Sequence, residues 1–168
     1  ECHERHPQLA RREQDYLAEA LPMLERARFE RDFDDWERLE EQRLSPLYLS
    51  VHATEPALRQ SMLRRPDIPD ILSQIDRLAE LGIEVHTQIV LVPGRNDGPH
   101  VQRTIADLAA RYPSVRSIGV VPVGLTRYHR ASCRVYRPHE ARQVLAELAP
   151  LQAIYRVQHD VSLLYLSD

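Results

Sequence analysis

The feature that most limits the fold is an alternation of short apolar runs with amphipathic stretches. Strand-like runs rich in β-branched residues lie at residues 47–52, 83–92 and 117–123. Between them, helical spacing of apolar residues marks residues 69–81 and 99–112. Strands that are separated by helices of this length are typical of parallel βαβ units with right-handed crossovers. The sequence therefore predicts an α/β fold with a parallel sheet.

Two crossovers alone make an incomplete domain. Three parallel strands leave both edges of a sheet without hydrogen-bonding partners. The runs are almost continuously apolar, as expected when helices cover the sheet. We therefore expect the chain to be part of something larger and to associate through its open sheet edges.

The flanking zones differ from this central part in composition. Residues 1–42 are dense in charge and predict helices, and residues 43–128 hold the βα pattern. Residues 129–168 predict a helix from Pro138 that ends before Pro150, followed by a strand at residues 161–166. Two apolar stripes at helical spacing mark the first zone: Leu17, Ala20, Leu21 and Leu24, then Phe29, Phe33, Trp36 and Leu39.

Composition removes several classes of function. All 22 basic residues are arginines, so a Schiff-base lysine and a phosphate-loop lysine are excluded. No apolar run reaches the length of about 18 residues that a membrane span needs, and the acidic balance gives no electrostatic reason to bind nucleic acid. We expect a cytoplasmic protein with no membrane and no nucleic-acid partner.

Metal binding has little support in the residue pattern. Cys2, His3 and His6 have a spacing that a helix could bring together, but no second pair of ligands follows at a convincing distance. Cys133 lies among arginines, and a lone thiol in a loop is usually only a thiol. The residues therefore predict no metal site.

Polar residues gather where the predicted strands end, and ligands of parallel α/β folds bind at such ends. Ser50 and His52 follow one face of the first strand, a turn-rich loop spans residues 93–98, and residues 122–128 follow the third. His86 and Gln88 share a face of the second strand. A hydrogen-bonded structural histidine and an ordinary turn remain the alternatives for His52 and the loop. The spacing indicates a ligand site rather than a reaction.

Three segments resemble one protein family. They read RLSPLYLSVHATEP at residues 43–56, HTQIVLVPGRNDG at 86–98 and VVPVGLTRY at 120–128. These resemble the later part of the radical SAM core in bacterial iron–sulfur oxidoreductases that carry an N-terminal PDZ-like domain and a C-terminal domain of unknown function. The resemblance implies a partial (βα) barrel of the radical SAM type, with a helical N-terminal segment and a truncated C-terminal α+β segment.

The resemblance also implies cofactors. Such proteins bind S-adenosylmethionine beside a [4Fe–4S] cluster, whose electron cleaves the sulfonium bond to give a 5′-deoxyadenosyl radical. By position, the S-adenosylmethionine contacts would come from strand ends and the loops that follow them: Ser50, His52, Gln88, Gly94, Asn96, Asp97, Gly124 and Thr126.

The sequence departs from this family where the cluster should bind. It has no Cys-x3-Cys-x2-Cys motif and no upstream glycine-rich strand, and Val92 stands where many relatives have cysteine. We therefore expect a fragment or degenerate copy that keeps the later barrel strands, binds no cluster and performs no radical chemistry alone. No catalytic residue is assigned.

Two other interpretations remain. A non-catalytic half-barrel module would bind an anionic small ligand or a protein partner, with the anion held by arginines at Arg95, Arg127, Arg130 and Arg134. A small α/β-hydrolase-like domain is disfavoured because the sequence has no Gly-x-Ser-x-Gly elbow.

Overall fold

The structure is a computed structural model that describes residues 33–125 and 133–167. The chain divides into two units, Glu1–Glu41 and Gln42–Asp168. The described part of the first unit is helix α1, Phe33–Gln42, which contains the second predicted stripe except Phe29. Phe29, the earlier stripe and the Cys2–His6 group lie outside the described residues.

The second unit alternates strands and helices around one sheet. Its strands are β1 (Leu47–Ser50), β2 (Val85–Leu91), β3 (Val115–Pro122) and β4 (Leu164–Leu166). Its helices are α2 (Pro56–Leu63), α3 (Ile71–Glu80), α4 (Pro99–Ala109) and α5 (Pro138–His159). All neighbouring strands pair in parallel, in the order β1-β2-β3-β4. The predicted α/β fold with a parallel sheet is confirmed.

One face of the sheet forms the core together with the helices. Alternate residues of β2 are buried, and the residues between them are half-buried or exposed, because successive side chains of a strand point to opposite faces. The buried residues are Val85, Thr87, Ile89 and Leu91 in β2, with Ile75 and Leu78 in α3 and Ile105 and Leu108 in α4.

No helix of the second unit covers the other face within the described residues. Tyr48 and Tyr165 on this face are 80% and 51% exposed. Register places Ser50, Gln88, Gly119 and Tyr165 in one row across the four strands, and Tyr48, His86 and Ser117 in the row beneath. We call the surface formed by these seven residues the open face.

Two elements differ from the prediction. The first strand ends at Ser50 rather than His52, because the backbone turns there. Helix α5 does not end before Pro150 but continues to His159. A proline inside a helix costs about 3 kcal/mol. The burial of Leu148 and the hydrogen bond that the Gln152 amide donates to the carbonyl oxygen of Leu164 (2.9 Å) offset this cost.

The C-terminal segment joins the same sheet. Ile118 donates its backbone N–H to Leu163, and Ser167 donates to Val120, so β4 continues the parallel ladder. A domain boundary at residue 128 stays a prediction. Within the described ranges, no helix combines the length and the apolar character that crossing a membrane requires.

Candidate functional site

The carboxyl end of β1 turns sharply at His52. Val51 continues the strand pattern by donating its N–H to Gln88 (2.8 Å), and Ala53 then donates its N–H back to Val51 (2.8 Å). This closes a γ-turn with His52 at its centre, where φ is +64°. A positive φ is unusual for a residue with a side chain, and such strain is concentrated at functional sites.

Two buried side chains hold this turn in place. Arg59 from α2 is 5% exposed and donates its Nε hydrogen to the carbonyl oxygen of Val51 (3.2 Å). The Asn96 amide donates to the carbonyl oxygen of His52 (2.8 Å). The strained backbone is therefore fixed from two sides, by a helix and by the loop after β2.

The imidazole of His52 is left with an unused nitrogen. Its Nδ1 atom is buried and has no hydrogen-bond partner among the described residues. Burial, and then the nearby positive charge of Arg59, lower the pKa of His52 from its ordinary value of 6.5. The side chain is thus a neutral imidazole at pH 7, and its buried Nδ1 atom makes no hydrogen bond.

Asn96 links two strand ends and is not exposed to a ligand. Its side chain is fully buried, accepts the N–H of Val92 (2.8 Å), and donates to the carbonyl oxygens of Val90 (3.0 Å) and His52. Both donor hydrogens of the amide are therefore used by backbone groups. Asn96 joins the ends of β1 and β2 and supports the turn at His52.

Gly94 and Asp97 lie at a polar cleft beside the start of α5. Oδ2 of Asp97 accepts the N–H of Gly94 (2.9 Å) and the hydroxyl of Tyr136 (3.1 Å). Burial, followed by the charge of Asp97, raises the pKa of Tyr136 above its ordinary value. The cleft has a volume of about 290 Å³, and its walls also include Arg134, Glu140 and Glu147.

Ser50 and Gln88 lie next to each other on the open face. They are register partners, and both are exposed. Neither side chain has a hydrogen-bond partner in the part of the chain that the structure describes. Gly119 follows in the same row, and a Cβ atom there would meet only the carbonyl oxygen of Thr87, at 3.6 Å. This row therefore offers two free polar groups beside open space.

The predicted site residues do not all lie together in the structure. His52, Ser50 and Gln88 form one cluster, with the His52 N–H 3.5 Å from the Gln88 carbonyl oxygen and Asn96 supporting the turn. Gly94 and Asp97 line the polar cleft, and Gly124 is exposed after β3. Thr126 lies outside the described residues.

Sequence reasoning missed two residues of this cluster. Arg59 gave no signal, because a helical arginine is usually solvated and its contact with Val51 depends on tertiary packing. Gly119 did give a signal, since a glycine inside a strand often marks close approach by a ligand or another backbone.

The donor set does not fit an iron–sulfur cluster. Cys133 is the single cysteine within the described ranges, and no group of three His, Cys, Asp or Glu side chains there could hold a metal ion. S-adenosylmethionine fits better, because its ribose hydroxyls match the free hydroxyl of Ser50 and the free amide of Gln88.

Comparison with known families decides the relationship. The model of the family described as radical SAM-like domain matches residues 30–118, just over half of the chain. The chain belongs to the radical SAM-like domain family. The PDZ-like domain and the C-terminal domain of unknown function lie outside this match and stay predictions.

Solved structures agree with this family at the level of the fold. Seven solved chains match significantly. One is a domain of pyruvate-formate lyase-activating enzyme from Bacteroides vulgatus ATCC 8482, with a TM-score of 0.50, 17% identity, and coverage of 73% of this chain and 67% of that chain. At this identity the likeness shows the fold alone. No curated protein matches the chain significantly.

Proposed function

We propose that this radical SAM-like domain binds S-adenosylmethionine on the open face, at the carboxyl ends of β1 to β3. The observation that carries the proposal is the strained turn at His52, which directly follows a row in which the free side chains of Ser50 and Gln88 are register partners. Strain persists only where the surroundings enforce it, and here Arg59 and Asn96 do so.

Each side chain has a role that suits the ligand. The Ser50 hydroxyl and the Gln88 amide supply both donors and acceptors for the ribose hydroxyls. Gly119 leaves room above the sheet for the flat adenine ring. Bound S-adenosylmethionine would supply a sulfonium centre, and this chain's residues would orient it.

We further propose that the chain by itself is a fragment or degenerate copy without radical activity. The 168-residue sequence contains no Cys-x3-Cys-x2-Cys motif. The described residues offer no alternative set of metal ligands. Anaerobic reconstitution with iron and sulfide, followed by visible absorption spectroscopy, is expected to give no cluster band. A stoichiometric cluster would contradict this part of the proposal.

Binding of S-adenosylmethionine is tested by calorimetry on the full chain. The Gln88→Ala variant is expected to weaken binding at least tenfold, which corresponds to about 1.4 kcal/mol, because it removes both polar atoms of the amide. Gln102→Ala is the matched control, since Gln102 is exposed on α4, and it should leave the affinity unchanged.

Two outcomes of this titration would contradict the proposed site. In one, the chain shows no binding of S-adenosylmethionine. In the other, Gln88→Ala and Gln102→Ala bind it as well as the unaltered chain does. Circular dichroism of each variant shows whether the fold is retained.

An anion-binding half-barrel module has less support. Arg134 already donates to Glu140 (2.7 Å from its Nη2 atom), and Arg95 donates to the hydroxyl of Ser61 (2.8 Å). Arg127 and Arg130 lie outside the described residues. Binding of a protein partner through the sheet edges stays a prediction, and a concentration series of sedimentation profiles would test it.

A further inference from the structure

A second cleft lies at the opposite end of the sheet, where β2, β3 and β4 begin. It has a volume of about 400 Å³, and its walls are formed by His86, Tyr112, Arg116, Ser117, Val161, Ser162 and Tyr165. Ligand sites for small molecules have volumes of about 300–1,000 Å³ and combine aromatic walls with a few polar groups. Three of these residues, His86, Ser117 and Tyr165, belong to the open face, but Ser50, Gln88 and Gly119 do not line the cleft.

The cleft is built around an irregularity in the sheet. Val85 pairs with Val115, but the next residue, His86, pairs with Ser117, so Arg116 is an extra residue in β3. Such a bulge redirects a side chain, and bulges are over-represented next to functional sites. Here it brings both Arg116 and Ser117 to the wall of the cleft.

The polar side of the cleft is held by a short contact. Nδ1 of His86 and Oγ of Ser117 are 2.6 Å apart across the two strands. The ring of Tyr48 stacks on the imidazole, with centroids 5.0 Å apart. These contacts fix the His86 ring, so it needs little reordering when a ligand binds.

The aromatic side is supported in the same manner. The ring of Tyr112 lies 4.5 Å from that of His159, which is 6.2 Å from Tyr155. Tyr165 is 51% exposed on the other wall. Two phenol rings and Val161 thus form an apolar surface that suits a flat ring.

Arg116 supplies the positive charge of this cleft. Its Nη1 atom is 3.7 Å from Glu84, and both side chains are nearly half exposed. Exposed pairs at such distances are worth about 0–1 kcal/mol. A ligand carboxylate that is bound at the same time by Ser117 and Ser162 can therefore displace Glu84, and a guanidinium binds a carboxylate with two parallel hydrogen bonds.

We propose that this cleft binds a small planar aromatic carboxylate. The ring lies between Tyr112 and Tyr165, and the carboxylate binds Arg116 and the hydroxyl of Ser117. The cleft adjoins the proposed S-adenosylmethionine site on the open face, and the two sites use different contact residues, since Ser50, Gln88 and Gly119 do not line the cleft.

Benzoate and its neutral counterpart benzamide test this proposal by ligand-detected NMR titration of the full chain. Benzoate is expected to bind at least tenfold more tightly than benzamide. The Arg116→Gln variant should weaken benzoate binding at least tenfold and leave benzamide binding unchanged. Arg103→Gln, which removes the same charge from an exposed position on α4, should change neither.

Three results would overturn the proposal: no benzoate binding at millimolar concentration, equal binding of benzoate and benzamide, or equal binding of benzoate to Arg116→Gln and the unaltered chain. Saturation with S-adenosylmethionine should leave the benzoate affinity unchanged. Competition between them would show that the two sites are not separate. Failure to bind S-adenosylmethionine leaves this test intact.

Discussion

His52 shows how single residues create a ligand site from an ordinary strand end. The positive φ of its backbone would relax if the turn opened, but Arg59 and Asn96 bind the carbonyl oxygens on either side of its N–H. The same burial that fixes the backbone also leaves Nδ1 without a partner. The fixed backbone of His52 and its unpartnered Nδ1 atom therefore both result from the packing around this turn.

A pair of substitutions measures the backbone strain at this position. His52→Gly is expected to be more stable than His52→Ala by about 1 kcal/mol, because glycine adopts a positive φ without the steric cost of a Cβ atom. Both variants lack the imidazole, so the difference isolates the backbone. Urea denaturation of the two proteins gives this value.

The same pair at His100 is the control. His100 lies in the first turn of α4, where the backbone is helical and glycine has no advantage over alanine, so His100→Gly should not be the more stable of this pair. If His52→Gly is the less stable of the first pair, the turn at residue 52 is not strained.

The sequence predicted where site residues lie along a strand, but it did not predict hydrogen bonds between distant segments. The sequence placed Ser50 and His52 at the end of the first strand and Gln88 on the second, and the register pairs Ser50 with Gln88. It did not reveal that the Asn96 amide is used by Val90, Val92 and His52, because hydrogen bonds between segments depend on packing that no spacing encodes.

Among the elements, α5 has the most elaborate start. Glu140 accepts hydrogen bonds from the backbone N–H of Arg137 (2.8 Å) and from the guanidinium of Arg134 (2.7 Å). This is a capping arrangement in which the third helical residue satisfies an N–H that the helix leaves without a partner. The side chains of Arg134 and Glu140 also line the polar cleft beside Asp97.

This arrangement predicts a pH dependence. The hydrogen bond from Arg134, and then that from Arg137, lower the pKa of Glu140 from 4.5 to about 2. A carboxyl group with a lowered pKa in the folded state stabilises the protein fully above pH 4.5, and this contribution is lost as the pH falls towards 2.

Glu140→Gln is therefore expected to flatten the dependence of unfolding free energy on pH in this window. Urea denaturation at a series of pH values measures it. Glu147→Gln, on the same helix, serves as the control and should keep the slope of the unaltered chain. An unchanged slope in Glu140→Gln would show that the contact with Arg134 does not persist in solution.

The elements were easier to predict than their ends. Apolar spacing located α3, β2 and α4 to within a few residues, because their stripes face a common core. The length of α5 was predicted wrongly. Pro150 is a local signal to stop, but Leu148 and Gln152 bind the helix to the rest of the unit.

Considered as a whole, the second unit is a four-stranded parallel sheet with helices over one face. Eight parallel strands close a (βα) barrel, so four strands represent half of such a barrel. The inward face of a closed barrel corresponds to the open face here. The alternating sequence pattern predicted the parallel sheet, and the order of its strands comes from the structure.

Gly119 tests whether the open face is truly uncovered. Gly119→Val is expected to leave stability unchanged or raise it by up to about 1 kcal/mol, because valine suits a strand and no described atom lies closer than 3.6 Å to the added Cβ. The same variant should weaken S-adenosylmethionine binding at least tenfold by filling the space above the row. Urea denaturation and calorimetry measure the two effects.

Stability tests whether the open face is uncovered, and affinity tests whether S-adenosylmethionine binds there. A clear loss of stability in Gly119→Val would mean that other residues cover this face in solution. Unchanged stability with unchanged binding would place S-adenosylmethionine elsewhere. Gln102→Ala, at the exposed control position on α4, should alter neither quantity.

The connection made by Asn96 also limits how the chain can change in length. Its amide reaches back four residues to Val92 and across to His52 on another strand, so the loop between them has one permissible span. Inserting or deleting a single residue between Val92 and Asn96 would separate these partners at once. Most surface loops tolerate such changes. At residues 92–96, we expect amino-acid replacement to be accepted far more readily than any change of length.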